Sequence, residues 1–266
     1  MDLSIFALTD LVAIVTGAGR GIGKGIALGL AKAGANVVAA ARTLSEIEAV
    51  VGEIDGIGRK GLAIPTDVSR SDQIDHMIDK TMEAFGRIDI LVNNAAGVFY
   101  SPSEKISENG WNTIMQACLT SAFLCSKAAG LRMIERRKGN IINISSIAGT
   151  DCLPGSAPYA AAKAGMINLT RTLAMEWGPY GIRVNCIAPG TVDTPGTHQV
   201  LQDPKRRQAM IRRIPLGRIA QPEDMAGTAV YLASEASSYV TGETIMLTGG
   251  MPSAVEGPPG VEASVI

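Results

Sequence analysis

A chain of 266 residues, 46% of them hydrophobic, can bury a sizeable core and falls in the length range of one α/β domain. Its 24 basic and 25 acidic residues nearly cancel and are mixed along the sequence, which argues against a basic stripe for a nucleic-acid backbone. Cys118, Cys125, Cys152 and Cys186 lack C-x-x-C spacing and only two histidines, His76 and His198, are present. No metal site is therefore expected, and the thiols read as reduced and mostly buried. Asp2 and Asp10 flank a short apolar stretch without a basic leader, and no apolar run approaches the roughly 18 residues of a membrane span. The expectation is a soluble, unprocessed, cytoplasmic protein.

Short runs rich in valine and isoleucine alternate with longer stretches of helical period, as in a parallel sheet covered by crossover helices. The strand candidates are residues 11–16, 36–41, 61–65, 88–93, 140–145, 183–188 and 244–247. Seven such strands predict a doubly wound (Rossmann) α/β three-layer sandwich with a seven-stranded parallel sheet, a single domain over 1–250. A Pro/Gly-rich tail follows over 251–266. Ser45-x-x-Glu48 reads as a capping box opening a helix, and Trp111, Met115, Cys118, Ala122 and Cys125 form an apolar stripe along another.

Directly after the first strand comes Thr16-Gly17-Ala18-Gly19-Arg20-Gly21-Ile22-Gly23, leading into a helical segment. Glycines at a strand-to-helix turn let the backbone approach a pyrophosphate, whose charge meets free amides and the positive helix end. Where the second strand ends, a carboxylate would bind the adenosine ribose of NAD and a basic group the 2′-phosphate of NADP. The chain has Ala41-Arg42 there, with Arg20 available from the glycine loop. NADP is preferred on these two guanidiniums; NAD stays open if both are solvated surface charges. Asp67 and Val68 would sit at the adenine edge, and Asn93-Asn94 ends the fourth strand at the ligand-binding edge of the sheet.

Tyr159 and Lys163 stand one helical turn apart, and groups at i and i+4 share a helix face. A free phenol holds its proton too tightly to exchange it readily at neutral pH, and a cation within a few ångströms favours the phenolate. A tyrosine so placed can serve as general acid or base.

The ordered set Thr16-Gly17-x-x-x-Gly21-x-Gly23, Asp67-Val68, Asn93-Asn94-Ala95, Ser146, Tyr159-x-x-x-Lys163, Asn185 and Pro189-Gly190-x-Val192-x-Thr194 spans nearly the whole chain. It resembles the short-chain dehydrogenase/reductase family. The resemblance implies an NAD(P)-dependent oxidoreductase acting on a small-molecule carbonyl or alcohol. In it Tyr159 moves the proton, Ser146 holds the substrate oxygen and Lys163 supports Tyr159 and the nicotinamide ribose. Val192 and Thr194 match positions that fix the carboxamide. Also implied are a substrate lid over 195–215 and a dimer or tetramer, the homotetramer being expected, paired through the helices carrying Cys118 to Met133 and Tyr159.

Two positions depart from the family pattern. Cys118 stands where many members have an asparagine whose backbone carbonyl serves a proton relay to the lysine; altered proton supply is expected. Thr248 replaces a common acidic or polar residue, a change without a functional reading. The lid cations Lys205, Arg206, Arg207, Arg212 and Arg213 could bind an anionic substrate or form a solvated helix face. Substrate classes left open are 3-oxoacyl thioesters, cyclic ketones and sugar-like polyols. The alternative function is a catalytically weak, cofactor-binding structural or redox-responsive subunit.

Overall fold

A computed structural model describes residues 3–251; the expected tail lies, beyond Met251, outside the described residues. The strands are β1 (Val12–Thr16), β2 (Asn36–Ala41), β3 (Gly61–Pro65), β4 (Ile90–Asn93), β5 (Gly139–Ile144), β6 (Ile182–Pro189) and β7 (Thr244–Leu247). All pair in parallel in the order β3-β2-β1-β4-β5-β6-β7. The predicted doubly wound seven-stranded sheet is therefore present, with strand limits displaced by at most two residues.

The strands read as continuous apolar runs because both faces are covered. Ala13 and Val15 of β1 join a core with α1 (Gly21–Lys32), α2 (Leu44–Gly56) and α9 (Ala226–Ala233), while Ile14 turns to the opposite core with α3 (Ser71–Phe85), α5 (Ser121–Arg136) and α6 (Ala157–Trp177). Side chains alternating at period two thus serve two cores at once. The strand order reverses between β1 and β4, and the crevice beyond their carboxyl ends is where such sheets take ligands.

Behind that crevice a buried polar chain ties the layers together. Asn93 Nδ2 donates to Ser126 Oγ on α5 and to Asn143 Oδ1 on β5, both at 2.9 Å, and Asn143 Nδ2 donates to Thr170 Oγ1 on α6 at 2.9 Å. At the opposite edge of the sheet Arg183 is clamped by Leu232, Ser234 and Val240 carbonyls and by Ser237 Oγ. Burial lowers the pKa of this guanidinium, and these acceptors offset the cost of its desolvation.

Three expectations are corrected. The Ser45/Glu48 capping box does not form: Thr43 takes the N-cap position without a side-chain cap bond, the helix begins at Leu44, and Ser45 falls within its first turn. The apolar stripe holds at Cys118, Ala122 and Cys125, but Trp111 lies outside every core cluster and is 40% exposed. Here α4 (Glu108–Met115) is joined to α5 by a π turn, Gln116–Thr120, which breaks the regular period on which the stripe was drawn. Finally, the helical run Glu108–Arg136, although it holds no continuous apolar stretch of membrane-spanning length, is by length and average composition apolar enough to cross a membrane, which the sequence reading did not register. Its Cys125, Ala129 and Met133 instead pack in the core beneath the sheet.

The segment after β6 carries α7 (His198–Leu201) and α8 (Pro204–Arg212), whose Met210 and Ile211 pack on Leu201, Ile214 and Ile219. Arg218 grips Asp224 through both guanidinium nitrogens, at 2.6 and 2.8 Å. These bonds, with the Gln221 amide, hold the Asp224 carboxyl down at about 2, from an ordinary 3.8. A depressed carboxylate stabilises the fold fully above its unfolded value and loses that contribution as pH falls through its folded one. Asp224→Asn should therefore melt below the parent at pH 6. Its deficit should shrink between pH 3.8 and about 2, as followed by thermal unfolding across that interval.

Candidate active site

The site assembles at the carboxyl edge from the loops after β1 to β6 and from α6. β1 ends in the glycine loop, where Gly17 (φ +65°) and Gly21 (φ +55°) occupy the left-handed region that favours glycine. A Cβ on Gly17 would stand 2.8 Å from Asn94 Nδ2, and one on Gly21 would stand 3.3 Å from Thr194 Cβ. The cradle is thus closed on one side by the β4 loop and on another by the segment after β6. No side chain caps the first turn of α1, so its amides face the loop's concavity. This is a fit for a pyrophosphate against Gly17, Gly21, Ile22 and Gly23.

Asn94 holds the cradle's shape: its Nδ2 donates to the carbonyls of Thr16 (2.9 Å) and Gly17 (3.2 Å), while Thr16 Oγ1 accepts from the Asn94 and Ala95 amides. Arg42 follows β2 and is exposed, without an ion pair or hydrogen bond among the described residues. Arg20 is exposed at the loop and faces Glu46, with 3.6 Å between Nη1 and Oε1. Asp67 accepts from the Ser69 hydroxyl (2.7 Å) and amide (3.0 Å). Those bonds, and then the nearby Arg42 and Arg70 charges, hold its carboxyl below the usual range. Val68 packs partly buried beside it. Val192 is buried and bridges to Ala220; Thr194 is fixed by Thr197, whose Oγ1 accepts from its amide at 3.0 Å.

Of the three predicted catalytic residues, Tyr159 and Lys163 face each other on α6, and Ser146 follows the end of β5 that Lys163 bonds. Lys163 is 2% exposed, its Nζ donating to the Ile144 carbonyl at the end of β5 at 2.7 Å. The same Nζ lies 5.5 Å from the centroid of the Tyr159 ring. Ser145 Oγ donates to the Lys163 carbonyl at 2.8 Å, pinning α6 to β5. Ser146 Oγ, one residue on, accepts from the Ala148 amide at 3.1 Å, which leaves its own hydrogen free to donate. Tyr159 packs against the small core cluster of Ile114, Cys118 and Ala162, which Phe99, Met115 and Leu119 also border. This apolar bed holds the phenol ring in place.

Cys118 Sγ accepts from the Gly97 amide (3.5 Å) and donates to its carbonyl (3.2 Å), joining the π turn to the β4 loop. It is fully buried, like Cys186, whose thiol burial pushes up. The lid cations Lys205, Arg206, Arg207 and Arg212 are exposed on the outside of α8, and Arg206 leans on Asp203.

Two residues were not picked out from the sequence. Tyr100 is half-exposed in the loop after β4; burial, then the neighbouring Tyr159 phenol, raises its own phenol above the usual value. Asp151 encloses its Oδ2 without a partner, and burial raises its carboxyl. Neither lies in a motif. The only available signal was position: both sit on loops leaving the carboxyl ends of β4 and β5, and those loops are joined by the Ser101 amide donating to the Gly155 carbonyl at 2.8 Å.

A family profile described as enoyl-(acyl carrier protein) reductase matches residues 17–252. A 3-oxoacyl-[acyl-carrier-protein] reductase from Synechocystis is 42% identical over 247 residues, covering 92% of this chain and 98% of the relative. A gluconate 5-dehydrogenase from Burkholderia cenocepacia, solved with NADP and tartrate, superposes with TM-score 0.90 at 35% identity over 95% of this chain and 99% of that one. A 7α-hydroxysteroid dehydrogenase solved with NADH and a 7-oxo bile acid superposes with TM-score 0.92 at 32% identity over 96% and 99%.

Thiol reactivity follows thiolate fraction and access. Cys125 is buried and its thiol is pushed up to about 12, whereas Cys152 is exposed. Brief iodoacetamide treatment of the native protein, read by peptide mass mapping, should alkylate Cys152 alone; Cys118, Cys125 and Cys186 should react only after denaturation. Rapid native labelling of Cys118 would restore the redox-responsive reading.

Proposed function

Because this chain belongs to the short-chain dehydrogenase/reductase family of NAD(P)-dependent oxidoreductases, we propose that it interconverts a ketone and a secondary alcohol with Tyr159 as general acid and base, preferring NADP. The observation that carries this reading is the buried Lys163 side chain, its Nζ 5.5 Å from the Tyr159 ring centroid and bonded to the Ile144 carbonyl, two residues before Ser146. In reduction the Tyr159 hydroxyl gives its proton to the substrate oxygen, and in oxidation it takes that proton back. Ser146 donates its free hydrogen to the same oxygen and orients it. Lys163 keeps a positive charge beside the phenol as negative charge develops there, and its two other protons are available to the nicotinamide ribose. When bound, the nicotinamide coenzyme supplies or accepts the hydride at the carbon whose oxygen Tyr159 and Ser146 hold.

Gly17, Gly21, Ile22 and Gly23 would hold the pyrophosphate, Asp67 and Val68 the adenine, and Val192 and Thr194 the carboxamide. Asn94 keeps the loop in register. Arg20 and Arg42 would take the 2′-phosphate, which the absence of a carboxylate at the end of β2 favours. NADP in the similar gluconate dehydrogenase supports this choice, and because a steroid dehydrogenase of the same fold was solved with NADH, the preference is argued from these local residues rather than from the fold. The interruption of the helical ladder at Gln116–Thr120 supports a role for the Cys118 backbone carbonyl in proton supply, with its side chain committed to Gly97.

Substrate would enter under the lid 195–215. The outward-facing lid cations give no support to an anionic substrate, whereas the partnerless Asp151 Oδ2 favours one carrying hydroxyl donors, as in the polyol class. Exposed Phe123 and Leu131 on α5 and Met175 on α6 support assembly into a cytoplasmic homotetramer through these helices.

Tyr159→Phe should lower kcat/KM by about 10²–10⁴-fold across a panel of a hydroxylated ketone, a cyclic ketone and a 3-oxoacyl thioester, with NADPH affinity nearly unchanged. Turnover equal to the parent's would overturn the mechanism. In fluorescence titrations NADPH should bind the parent more tightly than NADH, and Arg42→Asp should reverse the order. Sedimentation velocity should return four times the monomer mass.

A further inference from the structure

The glycine loop and α2 meet in a contact that the coenzyme reading leaves unexplained. Glu46 lies in the first turn of α2 and leans onto the loop: a Cβ on Gly19 would stand 2.8 Å from Glu46 Cβ and 2.8 Å from its Oε2. Its Oε1 is 3.6 Å from Arg20 Nη1, and both side chains are substantially solvent-exposed, at 36% and 65%. Lys24 and Glu53 form a second bridge between α1 and α2 at 2.8 Å, so Arg20 and Glu46 are not needed to hold the two helices together. Of the two guanidiniums assigned to the 2′-phosphate, Arg42 forms no ion pair or hydrogen bond among the described residues and Arg20 is engaged by Glu46.

We propose that Glu46 is a coenzyme-selecting residue: its carboxylate occupies Arg20 and adds negative charge beside the 2′-phosphate position, weakening NADP binding while leaving NAD binding unaffected. The proposal rests on the assignment of Arg20 and Arg42 to the 2′-phosphate. A dianionic phosphate entering there has to draw Arg20 away from Glu46 and tolerate the carboxylate that leans on the loop from α2. A ribose hydroxyl in that position has to do neither. The site is exposed, so the penalty is screened and modest, and it should fall with salt. Nothing in the glycine motif requires an acid at this position; Glu46 reaches the loop only because α2 starts at Leu44 and turns that face toward Gly19.

The test is a double-mutant cycle read by coenzyme binding rather than turnover, on the full-length protein. Glu46→Gln should tighten NADPH about three- to tenfold, change NADH less than twofold, and lose most of its gain at 0.5 M salt. In an Arg20→Ala background the same substitution should give less than half that gain, because the effect passes largely through Arg20. Thermal unfolding checks that each variant is folded; Glu46→Asp, which keeps the charge, provides a second reading and should retain parent-like NADPH affinity. If the parent prefers NADPH and Glu46→Gln leaves its affinity unchanged or weaker, or tightens NADH equally, this proposal alone fails. If the parent prefers NADH, the 2′-phosphate assignment fails and the proposal with it.

Discussion

A lysine ammonium is held at 2% exposure at the end of β5, hydrogen-bonded to one backbone carbonyl and paired with no carboxylate among the described residues. Enclosing a charge without a counter-ion costs several kcal/mol. The fold sustains Lys163 because the surroundings leave it no alternative: Ser145 fixes its backbone carbonyl, β5 presents the Ile144 carbonyl, and the polar chain Asn93–Asn143–Thr170 holds α6 on the sheet. A local arrangement this unfavourable, next to a phenol and a free serine hydroxyl, is the kind of feature that marks a functional site rather than a stability device.

The rest of the site is arranged by the parallel sheet. Every strand points its carboxyl end the same way, so the loops after β1, β2, β4, β5 and β6 are delivered to one edge although they are spread over most of the chain. The reversal of strand order between β1 and β4 opens the crevice, and Asn94 bridges it to Thr16 and Gly17. Thr194 then meets Gly21 from the far side. Closed cradle and the Tyr159–Lys163 pair are therefore parts of one packed edge.

Where the sequence reading failed, a tertiary contact had overridden a local rule. Ser45 and Glu48 have the spacing of a capping box, yet α2 begins earlier and turns Glu46 toward Gly19. The stripe from Trp111 assumed an uninterrupted helix, and the π turn with the Cys118–Gly97 contact departs from that period. The helical run through α4 and α5 is apolar on average in part because one face, with Cys125, Ala129 and Met133, packs beneath the sheet, while Phe123 and Leu131 stay exposed on the other.

The sequence alone determined the seven strands, the glycine loop, the absence of a carboxylate after β2 and the Ser146, Tyr159 and Lys163 set, because these depend on period, on residue chemistry and on short spacings along the chain. Only the tertiary structure decided what those groups face. That Lys163 bonds Ile144, that Cys118 holds Gly97, that Glu46 engages Arg20 and that Asp151 encloses a partnerless oxygen are contacts between segments brought together by packing or by the path of a loop. Periodicity assigns a residue to a face; which partner waits on that face is set by how the layers dock.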